Sequence, residues 1–147
     1  MKKNKGFTLI ELLAVLLVLA IIALIAVPII TNLIKSSRIN SSQNAVHGLF
    51  DAVDVYYGRK IILDNGVFNN NETLYIAFGS TFDENEEGLV NGDTNIEYNG
   101  TKITAGKISL DRNGKITIVK ALEVNGYYCI MGANDKAQCT ETKPEGY

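Results

Sequence analysis

Hydrophobic residues are distributed along this chain in three different ways. From Phe7 to Ile30 the sequence is apolar almost without a break, interrupted only by Thr8, Glu11 and Pro28, and residues 12–30 carry no charged side chain. A helix that is apolar on every side belongs in a protein core or in a bilayer. Residues 7–30 would make a helix of about 36 Å, enough to cross the hydrocarbon layer with some tilt. The pattern changes over residues 31–58. Val46, Leu49, Phe50, Val53 and Tyr57 recur at helical spacing and predict an amphipathic helix that continues the first. Leu33, Ile34 and Ile39 form a thinner stripe upstream, and Gly58 reads as a helix stop.

The third pattern is short and alternating. Residues 59–95 are irregular, a variable excursion in which TLYIAF is either a short strand or a helical turn. Within residues 96–131 the runs NIEY, KITA, KISLD, KITIVKALEV and YYCIM are punctuated by Asn-Gly pairs at 99–100, 113–114 and 125–126. Asn-Gly suits type I′ hairpin turns, which need positive φ at both central residues. The segment predicts an antiparallel meander of about four strands with one buried face, whose natural partner is the stripe at residues 46–57. The expected class is α+β: a long N-terminal helix laid against a C-terminal sheet.

Composition narrows the function. The chain has 147 residues, a formal net charge of −2 and one histidine, His47. Outside the first five residues there is no lysine run or basic patch to meet nucleic acid. His47 beside the apolar stripe is expected at a solvated boundary, and a lone histidine gives no histidine-rich metal site. No nucleophile–base pair, phosphate loop or G-x-S-x-G motif occurs, so the chain is not expected to be an enzyme or to need a cofactor.

Charge around the apolar run sets its orientation. Lys2, Lys3 and Lys5 precede it, and Lys35 and Arg38 follow. The leading lysines favour a cytoplasmic N-terminus and a single-pass segment over residues 7–30. A cleaved secretory signal would have a shorter core and a small-x-small site, which AVPIITN matches poorly. Residues 31–147 then form an extracytoplasmic head. There Cys129 and Cys139 can oxidise to close a small ring, worth about 2–3 kcal/mol by loop-closure entropy, reactive thiols being the alternative.

Glu11 is the anomaly. A charged side chain at the centre of a membrane helix costs about 2.5–3.5 kcal/mol on insertion scales. It also sits in a specific context, KGFTLIELL at residues 5–13. That string resembles the type III signal sequence of type IV pilins and of the pseudopilins of type II secretion and DNA-uptake machines. The resemblance implies that residues 1–6 are a leader removed by a prepilin peptidase between Gly6 and Phe7, with Phe7 then N-methylated. Removal takes three lysines with it and moves the formal side-chain charge from −2 to −5. It further implies that Glu11 pairs with the Phe7 amine of a neighbouring subunit, so that burying both charges fixes the axial register. Pro28 falls where the family carries its kink-forming proline, while Ala20 replaces a glycine common in the helix middle.

By the same resemblance the fold is a pilin fold, and the function that of a structural subunit polymerised through its N-terminal helix. The product would be a surface filament, or fimbrium, for adhesion, twitching motility or DNA uptake. The implied partners are further copies of the chain in a helical filament, the peptidase/N-methylase, an assembly platform and minor pilins, the membrane before assembly, and a host surface or DNA as ligand. Residues 129–139 would form a disulfide-bounded loop of the kind several pilins carry. A pseudopilin of a secretion or competence machine is the alternative, and a non-polymerising membrane-anchored binding module is a second, from a different class. Asp83, Glu84, Glu86, Glu87 and Asp93 form an acidic cluster that some pseudopilins would use for calcium, but their spacing fits no EF-hand loop.

Overall fold

The computed structural model describes residues 6–64, 73–132 and 136–146. One helix, α1 (Leu9–Asp64), crosses the boundary between two compact units that part between Ser37 and Arg38. In the first unit every large apolar side chain from Phe7 to Ile34 is exposed. The most apolar stretch of α1 is long enough to cross a membrane, and none of its residues is buried within the protein. Pro28 lies inside the helix without ending it. Having no N–H, it leaves the Leu24 carbonyl without its usual partner, and one turn later Thr31 donates its hydroxyl to the Val27 and Pro28 carbonyls at 3.1 and 3.0 Å.

In the second unit α1 acquires a buried face. Ser42, Ala45, Val46, Leu49 and Val53 are buried at helical spacing, while Phe50 and Tyr57 pack half-buried at the border of the core. The helix runs through Gly58 and continues to Asp64, so the stop expected at Gly58 does not occur. A single helical glycine costs only about 1 kcal/mol against alanine. Just before it, the Tyr57 hydroxyl donates to the Arg112 carbonyl at 2.6 Å and ties this turn to the sheet.

The sheet has six strands rather than four. They are β1 (Thr73–Gly79), β2 (Leu89–Asn91), β3 (Ala105–Asp111), β4 (Ile116–Val124), β5 (Tyr127–Met131) and β6 (Ala137–Thr140), in the order β2-β1-β3-β4-β5-β6. All neighbours are antiparallel except β1 and β2. The segment read as a variable excursion supplies β1 and β2, and TLYIAF resolves as a strand. NIEY and most of KITA are not strands: a one-turn helix, α2 (Gly92–Asn95), is followed by an irregular connection in which Ile96 and Ile103 are buried anchors. The inner face is formed by Leu74, Ile76, Phe78, Ile108, Leu110, Ile118, Leu122, Val124 and Cys129, one cluster with Val46, Leu49 and Val53 of α1. This is the partnership between stripe and sheet that the periodicities predict.

Two of the three Asn-Gly pairs make hairpins. Asn125 and Gly126 take φ of 55° and 78°, a type I′ turn between β4 and β5. Asn113-Gly114 sits in a longer turn: the Gly114 N–H donates to the Asp111 carbonyl, and Asp111 Oδ1 accepts from the N–H groups of Asn113 and Lys115. Asn99-Gly100 joins no strands. Gly106 marks a bulge in β3 with φ of 133°, where an added Cβ would lie 2.8 Å from the Ala121 carbonyl oxygen. Only glycine lets β4 approach so closely there.

Candidate processing and assembly site

The N-terminal end of α1 is held by its own residues. Thr8 precedes the first helical residue, and its carbonyl accepts the first intrahelical bond from the Leu12 N–H at 3.2 Å. Three residues on, Glu11 Oε2 accepts from the Thr8 N–H at 2.8 Å and from the Thr8 hydroxyl at 2.7 Å, and the Glu11 N–H donates back to Thr8 Oγ1 at 3.3 Å. This reciprocal arrangement is a capping box. Its signal in the sequence is the T-x-x-E signature at residues 8–11.

The box changes the electrostatics of Glu11. In a lone helix the carboxylate is not without a partner, because Thr8 supplies two hydrogen bonds and the helix N-terminus favours negative charge. Insertion of this carboxylate into an apolar setting is therefore less costly than for a glutamate in mid-helix, and a neighbour's amine would join or displace bonds that already exist. Gly6 and Phe7 lie outside the helix, with Phe7 86 % exposed. Lys2, Lys3 and Lys5 fall outside the described residues.

The remaining predicted positions lie in the head. Cys129 and Cys139 form a disulfide between directly opposed residues of β5 and β6, with their Cα atoms 4.0 Å apart. The bond staples the last two strands instead of bounding a loop beyond the sheet, because residues 137–140 add a further strand. The acidic residues are dispersed. Asp83 accepts from the backbone and side chain of Asn85, Glu86 pairs with Lys107, and Asp93 accepts from the Gly79 N–H at 2.7 Å and faces Lys102 at 3.5 Å. Glu84 and Glu87 join none of these, and among the described residues no three His, Cys, Asp or Glu side chains are placed to hold a metal ion. His47 packs edge-on to Phe50 with ring centres 6.4 Å apart. Ser42, a polar residue that the periodicity passed over, is fully buried and donates to the Arg38 and Val124 carbonyls at 3.0 and 3.3 Å.

Residues 1–27 match the family model of the prokaryotic N-terminal methylation motif, the signal motif of type IV pilin and pseudopilin precursors. Neither curated proteins nor solved structures gave a match to the chain. The motif covers less than a fifth of the sequence and coincides with the Gly6–Phe7 junction, the capping box and most of the exposed apolar stretch. The N-terminal segment carries this motif, and the apolar stretch that follows it is long enough to cross a membrane.

Proposed function

We propose that this chain is the structural subunit of a type IV pilus. It is cut between Gly6 and Phe7 by a prepilin peptidase, N-methylated at Phe7, and polymerised through α1 into a surface filament. The observation that carries this reading is the methylation motif joined to an apolar helical stretch whose side chains are exposed. A membrane holds that helix in the precursor; in a filament the same surface of other copies takes the place of lipid. Glu11 then meets the Phe7 amine of a neighbour and sets the stagger, while Pro28 gives the helix a bend. The Cys129–Cys139 disulfide supports a head outside the cytoplasm, where such bonds persist.

The test is electron microscopy of sheared surface material with N-terminal mass analysis of the filament protein. A chain beginning at methylated Phe7 in long filaments is the expected result, and loss of that species in Gly6→Ala. Filaments confined to the envelope would make it a pseudopilin. Co-assembly of Glu11→Ala subunits as efficiently as wild type would remove the charge-pairing role, whereas a processed chain found in no filament would favour a non-polymerising anchored module.

A further inference from the structure

An asparagine followed by glycine can modify itself. The backbone nitrogen of the glycine attacks the asparagine side-chain carbon; a C–N bond forms, the C–NH₂ bond breaks, and ammonia leaves with the transferred proton. Water then opens the cyclic imide at either carbonyl, leaving aspartate or isoaspartate. Glycine places no Cβ in the way of the attack. The reaction needs an N–H free to shed its proton, a side chain free to swing, and a backbone that can rotate into the ring.

Asn65-Gly66 lies outside the described residues, and the four described pairs differ on all three requirements. At Asn91-Gly92 the Asn91 side chain caps α2 by accepting from the Asp93 N–H, its carbonyl takes the Asn95 side chain, and Gly92 is wedged against Phe78. At Asn113-Gly114 the attacking N–H is donated to the Asp111 carbonyl, and Asn113 is itself held by Asp111. At Asn125-Gly126 ring closure would pull Asn125 out of the left-handed turn that joins β4 to β5.

Asn99-Gly100 has none of these restraints. Among the described residues nothing hydrogen-bonds the Asn99 side chain or the Gly100 N–H. The irregular connection is pinned on either side, by buried Ile96 and Ile103 and by the Ile103 N–H donated to the Tyr98 hydroxyl at 2.7 Å. Its tip at Gly100 is exposed. Asn99 also sits on the lip shared by two open clefts of about 440 and 550 Å³, where water for imide hydrolysis has access.

We propose that Asn99 is a self-modification site, converting to aspartate and isoaspartate in the folded chain ahead of every other described Asn-Gly pair. Each conversion adds one negative charge beside Glu97, where Asp51 and Arg59 also line the larger cleft. The isoaspartyl product further lengthens the backbone between the pinned Tyr98 and Ile103.

The experiment incubates the full-length chain in detergent at mildly alkaline pH, then reduces it and digests it with trypsin and a glutamate-specific protease. The four pairs then fall in separate peptides, 88–97, 98–102, 113–115 and 124–136, and deamidation is read by mass. The same incubation in urea gives the rates set by local sequence alone. The expected result is conversion of Asn99 several-fold faster than the other three in the folded chain, with that lead lost in urea. Asn99 lagging behind or matching Asn125 or Asn113 in the folded chain overturns the proposal, as does the same ranking in both conditions. Isoelectric focusing gives an independent readout: in an Asn65→Gln background, Asn99→Gln should abolish the first acidic species to appear, and its persistence in that double variant overturns the assignment.

Discussion

Leu17 and Leu49 lie on one helix and meet opposite fates, the first 60 % exposed and the second fully buried. The difference lies in the neighbours each stretch acquires. Around Leu17 every helix face is apolar, so no face distinguishes itself as the one to bury within the chain. Around Leu49 the buried positions form one stripe, with Asp51 and Asp54 on the exposed side, and the sheet has one matching inner face. An all-round apolar surface calls for a solvent or partner equally apolar, whereas a stripe calls for a core. One helix thus presents an all-round apolar surface at one end and a core-facing stripe at the other.

The sharpest way to break that comparison is to shorten the two leucines separately. Leu49→Ala should cost the head about 2–5 kcal/mol, from lost transfer energy and a cavity against the sheet. Leu17→Ala should leave head unfolding unchanged, since its side chain is largely exposed. Urea unfolding in detergent, followed by tyrosine fluorescence, measures both; equal losses would mean that the anchor stretch supports the head. Next in size is the staple. Replacing Cys129 and Cys139 together by serine should cost about 2–3 kcal/mol, the loop-closure value for a ring this small. The loss should match that of wild type under reducing conditions. Smaller again is Ser42→Ala, which removes the hydroxyl linking α1 to the Val124 carbonyl and should cost about 0.5–1.5 kcal/mol in the same assay.

What the sequence made legible was local. The methylation motif, the stripe at 46–57 and the Asn113 and Asn125 turns each depend on residues within a few positions of one another. What it hid depends on distant partners. β2 has three residues and exists because β1 offers it an edge, and β6 has four and exists because β5 does. Asn99-Gly100 carries the same dipeptide as two real hairpins but lacks flanking strands. Gly58 looks like a stop until Tyr57 is seen bonded to Arg112. At the site, Glu11 was found by its cost, while the partner that lowers that cost, Thr8, lay within a recognisable signature. The acidic residues are close in sequence, but the sheet and its loops give Asp83, Glu86 and Asp93 different partners.

The smallest effects concern two carboxylates of the head, which should respond to pH with opposite signs. Asp111 in the β3–β4 turn is held below the usual carboxylate range, chiefly by the N–H of Lys115 and then by Asn113. Its contribution is complete above the unfolded-state value and is lost as pH falls through the lower, folded value. Asp111→Ala should therefore be less stable than wild type at neutral pH, with the gap closing in acid. Asp54 on α1 is pushed upward, first by burial and then by the charge of Asp51 one turn earlier. Its favourable contribution is present below the unfolded value and is lost as pH rises through the folded one. Asp54→Asn should accordingly match wild type in acid and exceed it at neutral pH. Asp54 is exposed and Asp111 half-buried, so salt should shrink both differences. Unfolding free energies across the acid range, at low and high salt, would separate the two curves; a gap of the same sign for both variants would mean that the turn and the helix do not treat their carboxylates differently.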